Sequence, residues 1–299
     1  EPELIAAFLA VLRAGGVYVP LDPELPNARV EALLAEVRPV LVLGPRGVPW
    51  HALDESLEGG DDGAPAEPPA SAAAYVVFTS GTSGKPMAVS HAHRAILARA
   101  TMHRAWEGLL PEDRLLHAGA LNWTYTLGTG LLDPWTQGAT ALIAVAGTEP
   151  SALPALLDRH QATIFAAVPG VFRQSLRAGL PPLPRLRHGL SAGEALPEPL
   201  REAWVRATGT DLHQALGMSE ISTFISGGPD RPAPPGASGF VQPGRHVAIL
   251  GEDGQPVPRG EAGALAVSTR DPGFMRGYVG QPAPEGPWFP TGDAARMDM

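Results

Sequence analysis

The feature that most constrains this chain is an apolar run, Tyr75-Val76-Val77-Phe78, that passes without a break into Thr79-Ser80-Gly81-Thr82-Ser83-Gly84-Lys85-Pro86. The first part has the length and β-branched character of a strand. In the second part, glycines let the backbone come close to a polyanion and turn its N–H groups inward, while hydroxyls and Lys85 add donors and positive charge. This is not a Walker A loop, which needs Gly where Thr79 stands and Ser or Thr where Pro86 stands. An ordinary polar turn after a strand is the plain alternative, and the density of hydroxyls argues against it.

Strand-like and helix-like segments alternate around that junction. Leu4, Ile5, Phe8, Leu9 and Leu12 recur at helical spacing, and Gly15-Gly16 close the run. Residues 17–20 read as a strand. Asn27 caps a helix carrying Val30, Leu33, Leu34 and Val37, and 40–43 return as a buried strand. The rhythm resumes with strands predicted at 139–145, 163–168, 186–190 and 212–214, and with helices from 151, over 171–177 and near 198–207. Such alternation is the signature of a parallel sheet covered by helices. Residues 58–73, rich in Gly, Pro, Ala and acids, read as a solvated surface loop. From about 231, turns rich in Pro and Gly separate short alternating runs such as 246–250 and 264–268. The expected fold class is therefore α/β: helix-covered, mainly parallel sheets in two α/β subdomains over residues 1–230, and a small C-terminal β-barrel-like subdomain over 231–299.

Composition narrows the chemistry. Of 299 residues, 44% are apolar, enough for a full core. A formal charge of −9 without a basic cluster argues against nucleic acid or an anionic membrane as the main partner. The absence of cysteine excludes disulfides, thiolate metal sites and a thioester on the chain itself. No apolar run reaches transmembrane length and no leader-like segment is present, so a cytoplasmic location is expected.

The loop at 79–85 resembles the phosphate-binding signature of the adenylate-forming superfamily, which includes acyl- and aryl-CoA synthetases, luciferases and adenylation domains of peptide synthetases. Further segments resemble that family in the same order: LAVLRAGGVYVPLDPELPNARV near the start, then HGLSAGEALP, QALGMSEIST and WFPTGDAAR. Together they span nearly the whole chain. The resemblance implies ATP, Mg²⁺ and coenzyme A, or a carrier-bound pantetheine in place of coenzyme A, and a small carboxylic acid as substrate. It gives Thr79, Ser80, Gly81, Thr82, Ser83, Gly84 and Lys85 the β- and γ-phosphates. Gly193 and Glu194 lie beside adenine in this reading, with Leu216, Gly217 and Met218 on the nucleotide side. Ser219 sits near the α-phosphate, Glu220 is linked to Mg²⁺, and Asp293 accepts from the ribose hydroxyls. Thr79, Lys85, Ser219 and Glu220 then carry the catalytic roles.

The same resemblance puts the acid pocket in 117–124, with Asn122 and Trp123, and at Val168, Gly193, Gly217, Met218 and Ile221. Peptide-synthetase relatives pair the substrate's α-ammonium with an aspartate in the first of these segments. Here Leu121-Asn122-Trp123-Thr124 contains no acid, and burying an ammonium without a carboxylate is costly. The expected substrate is an aryl or short acyl acid without an α-amine, activated to acyl-AMP with release of pyrophosphate and passed to coenzyme A. The alternatives are an adenylation domain that loads a carrier-protein pantetheine and a catalytically silent nucleotide-binding relative. Trp123 and Tyr125 either line an aromatic pocket or belong to the core, and His91 and His93 are further candidates to touch the site. Two departures stand out: Met87 where relatives usually carry a second lysine, and Leu216 where Tyr or Phe often stacks on adenine. The resemblance also implies that the chain stops before a small mobile C-terminal domain that supplies a lysine. The 299-residue chain alone is therefore expected to bind nucleotide and turn over poorly.

Overall fold

The computed structural model describes residues 2–22, 24–43, 64–79, 86–145 and 147–298. Its contacts divide the chain into two compact units, 1–94 with 275–283, and 95–274 with 284–299, a division that differs from the boundary near 230 read from sequence texture.

The first unit holds helices Pro2–Arg13 and Asn27–Val37 and a small sheet. Strand β1, Ala73–Thr79, pairs antiparallel with β2, Met87–Ala92, and a short strand Gly277–Tyr278 adds to β2. A mainly parallel sheet was expected here. The connection between β1 and β2 is too short for a crossover helix, which parallel pairing requires, so the pair is antiparallel. The strand predicted at 17–20 shrinks to one parallel bridge, Tyr18 to Tyr75, because Gly15-Gly16 and Pro20 leave no room for more. The predicted buried strand at 40–43 shrinks to a bridge residue at Leu43, with Val40 fully exposed and Leu41 half exposed. Arg38, in the left-handed region at φ 47°, ends the preceding helix and turns the chain away. Of the surface loop expected at 58–73, residues 58–63 lie outside the described residues. Most of residues 64–71 are exposed, as expected.

The second unit is built on a seven-stranded sheet. Its strands are β3, Arg114–His117; β4, Thr140–Ile143; β5, Ile164–Ala167; β6, His188–Ser191; β7, Asp211–Met218; β8, Ser222–Ser226; and a short last strand, Phe240–Val241. The spatial order is β4-β3-β5-β6-β7-β8, then the last strand; pairing is parallel from β4 to β7 and antiparallel beyond. Successive residues of a strand face opposite sides, and both sides are apolar. Leu116, Phe165, Ala167 and Leu212 face one core, with Phe172 and Trp204 from helices Pro169–Ala178 and Glu198–Thr208. Leu115, Ile164, Ala166 and Leu190 face the other, with Met102 and Trp106. Helix Pro169–Ala178 starts on proline, whose missing N–H has no partner to lose there, and ends before Gly179 at φ 86°. Residues 126–132, just after the predicted pocket segment 117–124, form a π-helix, a form that recurs at functional sites.

The expected β-barrel-like subdomain is not formed by the described residues. Strands Val247–Leu250, Ala262–Ser268 and Trp288–Arg296 make an open antiparallel sheet. Among the described residues the sheet has three strands, too few to close on themselves, and residues 255–257 cover part of the outer edge of Val247–Leu250. Among the described residues, no helix is long and apolar enough to cross a membrane.

Trp204 is fully buried, edge-on to Phe172 at 4.9 Å, and 5.9 Å from Phe165. Trp204→Ala is expected to cost about 3–5 kcal/mol, read as a lower urea midpoint at unchanged slope. A midpoint within error of wild type would contradict this account of the core.

Candidate active site

Parallel strands joined by helical crossovers all end at the same edge, so segments far apart in sequence emerge side by side. In α/β sheets that edge, outside the carboxyl ends of the strands, is where ligands bind. Asn122 and Trp123 follow β3, Val168 follows β5, and Gly193 and Glu194 follow β6; Ser219 and Glu220 follow β7. These sequence-predicted residues therefore share one edge of one sheet. Gly193 has φ 92° and its backbone approaches Val168: a Cβ there would sit 3.4 Å from Val168 Cγ1. Glu194 is exposed, as is half of Trp123. Tyr125 lies inward, its hydroxyl donating to the Leu190 carbonyl at 3.0 Å and its ring against His117 at 4.4 Å. Burial, with the Arg99 charge, lowers the His117 pKa to about 3, so this imidazole is neutral at pH 7.

Strands β7 and β8 form a hairpin whose tip carries Ser219, Glu220 and Ile221, with Ile221 N–H donating to the Met218 carbonyl at 3.3 Å. At Gly217 a side chain has no room, since a Cβ would fall 2.7 Å from the Ser222 carbonyl oxygen and the Thr223 Cα. Ser222, at φ 73°, holds the left-handed position that closes a three-residue hairpin loop, where glycine is usual. Glu220 is 8% exposed. Its carboxylate and the Ser219 hydroxyl are hard oxygen donors, which fit Mg²⁺.

Behind the hairpin is a buried ionic cluster that sequence reading missed. Arg99, His103 and Glu107 recur at helical spacing across Ala100–Ala105 and converge on Asp133. Arg99 donates to both Asp133 oxygens, Nε to Oδ1 at 2.8 Å and Nη2 to Oδ2 at 2.5 Å, with Nη2 also 3.1 Å from Thr129 Oγ1. Gly128 leaves the space: a Cβ there would fall 2.0 Å from Arg99 Cζ. Burial alone would raise the Asp133 pKa, but the Arg99 charge and hydrogen bonds from His103 and Arg99 hold it well below the carboxylate range. Glu107 is shifted the other way, first by burial and then by the Asp133 charge. Neither of its oxygens meets a hydrogen-bond donor in good geometry. His103, Glu107 and Asp133 also bring ligand-type atoms within 4.8 Å of one another. One proton on Glu107 leaves the Arg99–Asp133–Glu107 group neutral, whereas a divalent ion would leave buried positive charge beside Arg99. We therefore assign Glu107 as a protonated acid. Four-residue spacing is the signal for this cluster, but it reads equally well as a solvated helix face.

Thr79 ends β1, half-buried and paired with Met87; Ser80, Gly81, Thr82, Ser83, Gly84 and Lys85 lie outside the described residues. Leu216, Gly217 and Met218 are half-buried on β7, and Ile221 is buried at the hairpin tip. Asp293 is exposed on Trp288–Arg296 in the separate three-stranded sheet, accepting from the Thr291 hydroxyl at 3.0 Å. His91 is buried and stacked on Tyr75 at 4.9 Å, and His93 begins the next helix.

The family described as AMP-binding enzyme matches residues 1–279. The 3-hydroxybenzoate–CoA ligase of Aromatoleum sp. (strain CIB) is 30% identical across all of this chain and 63% of its own length. A 3-hydroxybenzoate–CoA/4-hydroxybenzoate–CoA ligase of Thauera aromatica is 28% identical across all of this chain and 64% of its own. The chain thus spans under two thirds of these relatives. Apo MatB from Rhodopseudomonas palustris superposes with a TM-score of 0.87 at 23% identity, covering all of this chain and 64% of that structure, and shares its fold.

A carboxyl whose pKa is raised in the fold binds a proton that the unfolded chain releases. Its contribution to stability is full below the unfolded pKa and is lost as pH rises through the folded one. Glu107→Gln removes that titration while keeping a neutral side chain. Its melting temperature relative to wild type should therefore be constant below about pH 4 and rise steadily above it. A difference that stays flat from acid to alkaline pH would show that Glu107 is ionised in the fold.

Proposed function

Because the chain belongs to the family of AMP-binding enzymes, we propose that it forms the larger part of an ATP-dependent ligase. That ligase activates a carboxylic acid as its acyl-adenylate and passes the acyl group to coenzyme A. One observation carries this reading: Asn122, Val168, Gly193 and Glu220 emerge together at the carboxyl edge of the parallel sheet. That placement supports binding of the acid beside a hard-oxygen carboxylate, as the reaction needs.

In the first half-reaction an oxygen of the substrate carboxylate attacks the α-phosphorus of ATP, and the bond to the bridging oxygen of pyrophosphate breaks. In the second, a thiol sulfur attacks the acyl carbon, AMP leaves and the thiol proton is released. This chain has no cysteine, so the thiol is external. The protein's contribution is to position reactants and to balance charge. Glu220 would hold Mg²⁺, which when bound neutralises charge on the phosphates, with the Ser219 hydroxyl near the α-phosphate. The loop following Thr79, with Lys85, keeps the phosphate-holding role that the resemblance implies. Gly193 and Glu194 border adenine, and Asp293 takes the ribose hydroxyls.

The acid is an aryl or short acyl carboxylate without an α-amine. The segment around Asn122 and Trp123 offers no carboxylate to an ammonium, the nearby His117 is neutral, and Tyr125 and Trp106 stack at 5.8 Å along the inner wall. Two relatives named as hydroxybenzoate–CoA ligases are consistent with an aromatic acid.

The test is acid-dependent exchange of pyrophosphate into ATP by the full-length protein that contains this chain, across benzoate, hydroxybenzoates, short fatty acids and α-amino acids. Exchange is expected with aryl or short acyl acids, followed by thioester formation with coenzyme A. Glu220→Ala should lower exchange by about 100-fold or more. Preferential exchange with α-amino acids, or transfer only to a carrier-bound pantetheine, would overturn the assignment.

A further inference from the structure

We infer that Arg99 is a positioning residue for Glu220, holding the hairpin tip at 219–221 from behind through the Ser222 hydroxyl. The inference rests on the reading of Glu220 given under Proposed function.

The hairpin tip poses a mechanical problem. A carboxylate that serves one metal-bound phosphate must keep its place within a fraction of an ångström, yet Glu220 sits on a loop beyond the last backbone pair of β7 and β8, Met218 with Ser222. The loop closes on Ser222 at φ 73°, a conformation that costs a non-glycine residue strain and relaxes unless neighbours fix it. The fixing group is Arg99, whose Nη1 donates to Ser222 Oγ. The guanidinium cannot swing away, because Nε and Nη2 are tied to Asp133 and Nη2 also to Thr129. A planar fork is what this arrangement needs, since one side must grip a carboxylate while the other reaches across to a hydroxyl. A lysine ammonium has no such second face.

Neighbouring contacts act the same way. Arg245, paired with Asp271 at 2.5 Å and almost fully buried, points Nη2 at the Ile221 carbonyl at 3.5 Å. Gln242 Nε2 donates to Thr223 Oγ1 and Ser226 Oγ, both at 3.2 Å. Positions 221, 222 and 223 are thus each touched by a buried polar side chain, and Arg99 reaches the strained one. Asp133 in turn has its own burial cost met by the paired bonds from Arg99, so the cluster is a rigid mount for one hairpin.

The test uses the full-length protein that contains this chain and Mg²⁺-dependent binding of ATP, measured by calorimetry. Ser222→Ala removes the acceptor but keeps the backbone strain. It is expected to need about three- to tenfold more Mg²⁺ for half-maximal effect, with an unchanged KM for the carboxylic acid in pyrophosphate exchange. Ser222→Gly removes acceptor and strain together. It should melt no lower than Ser222→Ala yet share its weakened Mg²⁺ response, whereas a merely structural role would restore both. Arg99→Lys keeps the charge without the fork and carries the same expectation if the alanine variant does not fold. Wild-type Mg²⁺ dependence in Ser222→Ala and Arg99→Lys, alongside its loss in Glu220→Ala, overturns the inference and leaves the proposed function intact. Wild-type Mg²⁺ dependence in Glu220→Ala overturns the reading of Glu220, and this inference with it.

Discussion

The structure of the larger unit follows from one constraint, the requirement that parallel strands be joined by crossovers. Each crossover returns the chain to the same side, so β3, β5, β6 and β7 all finish at one edge. Four loops widely separated in sequence become neighbours there without any long-range contact having to be specified between them. Crossover helices cover one face of the sheet with Phe172 and Trp204, and a helix preceding β3 covers the other with Met102 and Trp106. The loops are thereby mounted on a stiff base, and the polar residues they carry are free to serve a ligand.

The switch from parallel to antiparallel pairing at β7 is what creates the position of Glu220. A hairpin needs no crossover, so the chain reverses at the same edge where the parallel strands end. The acidic tip is held there by tight backbone geometry, with Gly217 pressed against β8 and Ser222 in the left-handed region. Geometry this tight leaves little tolerance. Support has to come from beneath, where the only space is inside the core. Burying Arg99 there requires Asp133, and burying Asp133 beside Glu107 requires a proton on Glu107. Each buried charge is answered by the next group, ending in a neutral acid.

Much of this was legible in the sequence. The α/β rhythm located strands near 164, 188 and 212, and helices near 171 and 198, to within a few residues, because parallel strands buried on both faces read as short apolar runs. Asn122, Trp123, Val168, Gly193, Glu194, Ser219 and Glu220 follow strands that end at one edge because crossovers fix where strand ends go. The misses have physical causes. Residues 40–43 have β-branched composition, but Arg38 and Pro39 turn the chain before it can reach a sheet. The run at 73–92 was read as one strand and a loop, whereas a short connection folds it into a hairpin. The late β segments were extrapolated to a barrel, yet alternation reports only that one face of a strand is covered, not that a sheet closes.

The ionic cluster was invisible for a more general reason. Four-residue spacing of Arg99, His103 and Glu107 says that they share a helix face, but charged residues on a shared face are ordinarily in water. Only the fold reveals that this face meets Asp133 on the segment that follows a π-helix, and that Gly128 has cleared the volume of a guanidinium. Within the family, chemistry can be carried from chain to chain by short motifs, since those residues touch the ligand. The groups that hold such residues in place are set by local packing and need leave no motif at all. A hairpin closed by Ser222 instead of glycine requires some compensating donor, and here the donor comes from a helix more than a hundred residues earlier in the chain. Sequence similarity in the acidic loop therefore supports the family assignment, while the precision with which Glu220 is placed depends on residues that similarity does not report.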